Sequence, residues 1–208
     1  MKKITVIAPH ADDEILGLGG YLVHELQNGS EVSIIVVAMN EGRVKEFEKA
    51  VEVLEVKNAV ILFPDKDSEM DTVPKKNIIK KFEVLIEDIK PDELFLPYPS
   101  QHQDHEVVYK CGIAAIRMKP GYVVPKVMLY EYPLIGGHFD YIYGGKYYHK
   151  VDDVIEKKIT LFESCYTSQI KKFPSPINRE GIRGLARIRG MECGVKYAEM
   201  FYLQRVIE

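Results

Sequence analysis

ITVIAPHADDEILGLGG, residues 4–20, decides the fold. Its first five residues, ITVIA (4–8), form a continuous apolar, β-branched run, the pattern of a strand covered on both faces. A polar string, PHADDE (9–14), follows. Ile15, Leu16, Leu22, Val23 and Leu26 then recur near helical spacing until Asn28-Gly29 stops the helix. A buried strand that passes through a short turn into an amphipathic helix opens a βαβ unit.

The chain repeats that unit. VSIIVVA (32–38) reads as a second strand, and Val44 to Val56 as a helix with Phe47, Ala50, Val51 and Leu54 on one stripe. AVILF (59–63), ELFLP (93–97) and KVMLYEY (126–132) are further strands. Helices from Pro74 to Lys90 and from His105 to Met118 separate them. Such alternation, wound by right-handed crossovers, predicts an α/β fold: a Rossmann-like three-layer sandwich with a mainly parallel sheet. After Tyr132 the pattern changes. YIYGGKYYHKV (141–151) reads as a hairpin turning at Gly144-Gly145, suited to shape a substrate entrance or a subunit contact. Residues 152–165 and 178–193 read as C-terminal helices, and MFYLQRV (200–206) as a last strand.

Composition bounds the function. A chain of 208 residues suits one well-cored domain spanning 1–208. A net charge of −3, from 28 Lys+Arg and 31 Asp+Glu, leaves no basic excess to track a phosphate backbone, so nucleic acid is not an expected partner. Cys111, Cys165 and Cys193 are widely spaced, lack a CxxC pattern and read as reduced thiols. The N-terminal apolar run is too short for a signal peptide, and no 18-residue apolar stretch occurs. The expectation is a soluble, cytoplasmic protein without a membrane span.

Two polar clusters carry the chemistry. In the doubly wound order 3-2-1-4-5, strands one and four are neighbours where the winding reverses, and ligands bind at their carboxyl ends. His10, Asp12, Asp13 and Glu14 follow strand one, and QHQDH (101–105) follows strand four, so the fold brings both to one crevice. A catalytic zinc takes three ligands from His and carboxylate and leaves a position open. His10, one of Asp12 and Asp13, and one or both of His102 and His105 meet that demand. Asp also caps helices, so the first cluster alone is ambiguous between a cap and a metal site. The second cluster removes most of that ambiguity. His24, His138 and His149 stand alone and read as surface or packing residues. The glycines of GLGG (17–20) fall inside the helix, where close packing explains them better than a dinucleotide fingerprint.

Taken together, APHADDEILGLGG, HQDH (102–105), Arg43-x-x-Glu46-x-x-x-Ala50-x-x-x-Leu54, Phe63-Pro64-Asp65, Ser168-Gln169 and Tyr197-Ala198-Glu199-x-Phe201 resemble the LmbE-like, or PIG-L, zinc-dependent N-deacetylases. The resemblance spans nearly the whole chain. It implies one Zn²⁺ per subunit held by His10, Asp13 and His105, with Asp12 as general base. His102 would stabilise the oxyanion, Asp104 beside it would favour the imidazolium, and Arg43 would contact substrate. The implied substrate is a small N-acetylated sugar or sugar conjugate, and the implied assembly a homo-oligomer, trimeric or hexameric. Asn40-Glu41-Gly42 runs straight into Arg43 where many relatives have a longer loop, Ser100 stands where one branch has an aromatic residue, and Glu55 replaces a usual glycine. Two other classes compete: a metal-dependent hydrolase of another bond, such as a phosphoester, and a non-catalytic nucleotide-binding module.

Overall fold

The structure is a computed structural model that describes residues 1–118, 120–133 and 144–208. Strand β1 (Lys3–Ala8) is central, with Ile4, Val6, Ile7 and Ala8 fully buried, as its unbroken apolar run requires. β2 (Glu31–Met39) and β3 (Asn58–Pro64) extend the sheet on one side, and β4 (Glu93–Pro97) and β5 (Lys126–Tyr130) on the other. These five strands pair in parallel in the order expected from the sequence. Ile4 lies opposite Val32 of β2 and Glu93 of β4, so the carboxyl ends of β1 and β4 open side by side. β6 (Lys146–Lys150) and β7 (Ala198–Val206) complete the order β3-β2-β1-β4-β5-β7-β6, with β7 antiparallel to both β5 and β6.

Helices cover both faces. Helices α1 (Asp13–Gln27), α2 (Glu41–Val53), α5 (Ile155–Cys165) and α6 (Arg179–Cys193) contribute Leu22, Phe47, Phe162 and Ile182 to one apolar core. Helices α3 (Lys75–Ile89) and α4 (Gln103–Ala115) contribute Phe82 and Val108 to a second core on the opposite face. The result is the three-layer sandwich that the alternation predicts.

Helix starts differ from the apolar stripes because polar caps lie before them. α2 begins at Glu41 rather than Val44, since the Asn40 side chain accepts Arg43 N–H at 3.2 Å. α4 begins at Gln103 rather than His105, with the His102 side chain as its cap. Only the second limb of the expected hairpin, β6, is described; it pairs with β7, and residues 134–143, which include His138 and the first limb, lie outside the described residues. The glycines of GLGG do pack closely: a Cβ on Gly17 would lie 2.2 Å from Tyr130 Cδ2 on the sheet.

Candidate active site

β1 ends at Ala8, and residues 9–12 turn the chain into α1. Within that turn Asp12 adopts φ 130°, a conformation L-residues avoid and one that clusters at functional sites. Two hydrogen bonds stabilise the turn: Asp12 N–H donates to Glu14 Oε2 at 3.1 Å, and His10 N–H donates to Asp13 Oδ2 at 3.0 Å. The Tyr166 hydroxyl donates to the other oxygen of Glu14. Burial raises the Glu14 pKa to about 7, even though the bond from Tyr166 pulls it down.

The two clusters meet as the topology requires. Asp13 Oδ2 lies 3.6 Å from His10 Nδ1 and 3.3 Å from His105 Nε2. His10, Asp13 and His105 are all buried and bring one ligand atom each to within 4.8 Å of one another. Ligand bonds of about 2.0–2.2 Å in a tetrahedron would set neighbouring donors roughly 3.4 Å apart, so these spacings fit a zinc ion. The donor types fit as well. His105 Nδ1 is buried without a hydrogen-bond partner among the described residues, which leaves Nε2, facing Asp13, as that ring's polar contact.

Asp104 departs from expectation. The family resemblance sets it beside His102, where its charge does pull the His102 pKa up against the larger effect of burial, but its carboxylate bonds to His10, with Oδ2 2.8 Å from Nε2. It also accepts Ser68 N–H at 2.8 Å and Met70 N–H at 3.0 Å. A carboxylate only accepts, so His10 Nε2 carries a proton and Nδ1 is left to face Asp13. This is the carboxylate–histidine arrangement that orients metal ligands. A second trio, His10, His102 and Asp104, also clusters, but the Asp104 oxygens are already engaged by these three donors.

His102 differs in protonation too. Its Nδ1 accepts Asp104 N–H at 3.3 Å as the cap of α4, which puts its proton on Nε2. Burial, with His10 and His105 nearby, holds its pKa below the ordinary histidine value, although the Asp104 charge pulls the other way. Burial opposes charge on His10 also, yet the Asp104 and Asp13 carboxylates outweigh it and raise its pKa to about 10, so a dication taken at Nδ1 would displace a proton. Burial likewise disfavours charge on Asp13, but His105 and His10 overcome it and lower its pKa. Asp12 goes up, through burial and then the Asp13 charge, against the pull of Arg43.

Asp67 joined the site unannounced. It lies on the loop after β3, where Asn40 Nδ2 donates to it at 3.1 Å and Arg43 Nη2 and His10 Nε2 stand at 3.8 and 3.5 Å. Nothing in the linear pattern marks it, because its partners come from the turn after β1 and from the cap and first turn of α2. Arg43 reaches the cluster through Asp67, and its buried Nε has no hydrogen-bond partner among the described residues.

The profile of the PIG-L family, described as GlcNAc-PI de-N-acetylase, matches residues 5–116, more than half of the chain. The chain belongs to the PIG-L family. Solved structures share its fold across nearly the whole length. A conserved protein of Thermus thermophilus is 22% identical, covers 100% of this chain and 97% of its own, and superposes with a TM-score of 0.79. The N,N'-diacetylchitobiose deacetylase of Pyrococcus horikoshii is 21% identical over 98% of this chain and 84% of its own, with a TM-score of 0.76. The fold is not confined to deacetylases: the 4-carboxy-2-hydroxymuconate hydratase of Pseudomonas putida is 17% identical over 100% of this chain and 99% of its own, with a TM-score of 0.74.

The supporting motifs of this PIG-L chain also find partners. Glu46 of α2 accepts from Thr167 Oγ1 at 3.0 Å, Ser168 N–H at 2.8 Å and Ser168 Oγ at 2.7 Å, joining the Arg43 helix to the Ser168-Gln169 element. Glu199 reaches the α1 backbone. His24 and His149 lie away from the trio, with His24 Nδ1 2.8 Å from His149 Nε2 and the His24 ring turned to Asp153.

Proposed function

We propose that the chain is a zinc-dependent hydrolase that removes the acetyl group from a small N-acetylated sugar or sugar conjugate. The observation that carries this reading is the buried trio His10, Asp13 and His105, with Asp13 Oδ2 3.6 and 3.3 Å from the two imidazoles and Asp12 held in a strained turn beside it. His10 through Nδ1, Asp13, and His105 would hold one zinc ion, which supplies Lewis acidity toward water and the amide carbonyl.

The protein's own groups then divide the proton work. Asp12 takes a proton from the attacking water and later delivers it to the departing amine; burial and the neighbouring Asp13 charge raise its proton affinity toward that task. His102 needs no imidazolium to help. Its Nε2–H is the free donor of a ring whose Nδ1 is engaged, and it donates to the carbonyl oxygen as negative charge grows there. Asp104 orients His10 rather than acting on substrate. Arg43, whose guanidinium reaches the site beside Asp67, is the side chain suited to hold a sugar oxygen. Acetate and a free amino sugar leave.

Two features weigh against the competing classes. The glycines of GLGG are used in packing rather than in a phosphate cradle. Asp12, Asp13, Glu14, Asp67 and Asp104 gather at the site with Arg43 as the one nearby arginine among the described residues, a field that repels a phosphoester and suits a dication with a neutral amide. We read the enzyme as a cytoplasmic homo-oligomer; its three cysteines are free, and among the described residues no helix is long and apolar enough to cross a membrane. Acetate release from a panel of N-acetylated sugars, with and without chelator, tests the function. Release that zinc restores after chelation is the expected result. A zinc-loaded protein that releases no acetate, or release indifferent to chelation, would overturn it.

A further inference from the structure

Helix α1 is broken at Leu18, whose φ of −144° and ψ of 23° lie outside helical values. The break separates the first turns, which carry Asp13 and Glu14, from the rest of the helix. In a regular helix Gly20 N–H would donate to the Leu16 carbonyl. Here Gly20 N–H donates to Glu199 Oε1 at 2.8 Å, and the Leu16 carbonyl accepts from Lys158 Nζ at 2.8 Å. Lys158 and Glu199 in turn pair at 2.6 Å. An ion pair from α5 and β7 therefore stands between the donor and acceptor of one helical hydrogen bond. The second Glu199 oxygen takes Tyr21 N–H at 2.7 Å.

Both residues are only 4% exposed. A buried ion pair is a poor way to gain stability, because desolvation offsets the attraction, and apolar residues of similar size often do as well. Its partners here are specific instead. Helix breaks trace to proline, glycine or an inserted side chain, and this one is filled by two inserted charges. Position 20 is glycine for the same reason: a Cβ there would lie 2.6 Å from Val151 Cγ1 and 3.2 Å from Glu199 Cδ.

Building on the metal-site reading above, we propose that Lys158 and Glu199 are positioning residues that splice the break in α1 and so fix how its first turn presents Asp13 to His10 and His105. They act through the α1 backbone, from 142 positions downstream for Lys158 to Leu16 and 179 for Glu199 to Gly20. Gly17, seated against the Tyr130 ring, holds the first segment from the side, and the ion pair sets its angle.

Zinc titration by calorimetry and amide hydrogen exchange on the full chain test this. Glu199→Gln should weaken zinc binding about 10–100-fold, as loss of a ligand-orienting group does, and speed exchange at Gly20 and Tyr21. Glu25→Gln, which removes an ion pair remote from the break, should leave zinc affinity at the wild-type value. A folded Glu199→Gln protein that melts lower but binds zinc like wild type would make the pair a structural brace and overturn the proposal. If the single variant does not fold, Lys158→Gln/Glu199→Gln decides. The glutamine at position 199 offers one acceptor oxygen where Glu199 offers two to the Gly20 and Tyr21 N–H groups, and the one at position 158 is one atom shorter than lysine, so affinity reduced about tenfold or more is expected, and a folded double variant that binds zinc like wild type overturns the account. A wild-type protein that binds no zinc would end the metal reading, and exchange at Gly20 and Tyr21 would still report on the splice separately.

Discussion

The two ends of the parallel sheet use similar residues to opposite effect. At the amino ends of the strands, Lys2 pairs with Glu25 at 2.6 Å and Lys126 with Glu93 at 3.2 Å, while Tyr21 and Ser30 supply hydroxyl donors to the same two acids. Each acid there has a lysine. At the carboxyl ends, Asp12, Asp13, Glu14, Asp67 and Asp104 crowd three imidazoles and one arginine. Matched charge joins strands and helices, whereas acids left to imidazoles gather the donors that could hold a dication.

Substitutions at the two ends should separate this contrast. The largest effect belongs to His10→Ala or His105→Ala, which should abolish both zinc binding, read by metal analysis after dialysis, and deacetylation. Asp12→Ala should keep zinc and lose turnover by roughly 10²–10⁴-fold, the range for a general base; near-wild-type kcat would remove Asp12 from that role. Asp104→Asn should weaken zinc binding about 10–100-fold, because it loosens His10. If it instead left zinc binding intact and changed kcat alone, Asp104 would act at the chemistry as the family resemblance implies.

At the amino ends the readout should switch from function to stability. Glu93→Gln should cost about 1–3 kcal/mol in urea melts, for loss of a charged acceptor to Tyr21 and Lys126, with zinc affinity unchanged. The smallest effect is that of Glu25→Gln, under about 1 kcal/mol since Lys2 is partly exposed. Its pH dependence is directional. Burial opposes charge on Glu25, but bonds from Lys2 and Ser30 outweigh it and hold its pKa below the ordinary glutamate value. The unfolded chain therefore takes up the proton first on acidification. The stabilisation is complete above about pH 4.3 and fades as pH falls through the lowered folded value, so wild type and variant should converge in acid.

Much of the fold was legible in the sequence because its signals are local. The apolar runs of β1, β2 and β4 and the helical stripe of α2 report burial residue by residue, and short connections then leave few windings. Helix starts were less legible. Asn40 and His102 cap α2 and α4 with side chains that the apolar period does not count. Within the site, residue type and topology gathered His10, Asp12, Asp13, His102 and His105 at one crevice, and only the family resemblance singled out Asp13 and His105 as ligands beside His10.

Alone, the sequence determined the order of strands and helices, the crevice between β1 and β4, and the kinds of ligand gathered there, since each follows from patterns a few residues long. Only the tertiary structure decided what those residues touch. It turned Asp104 from His102 to His10, brought Asp67 in from the loop after β3, and bridged the break in α1 with Lys158 and Glu199. Hydrogen bonds act over about 3 Å in space whatever the separation along the chain. Partners tens to nearly two hundred residues apart therefore leave no local trace, and packing alone chooses among donors and acceptors that are chemically equivalent.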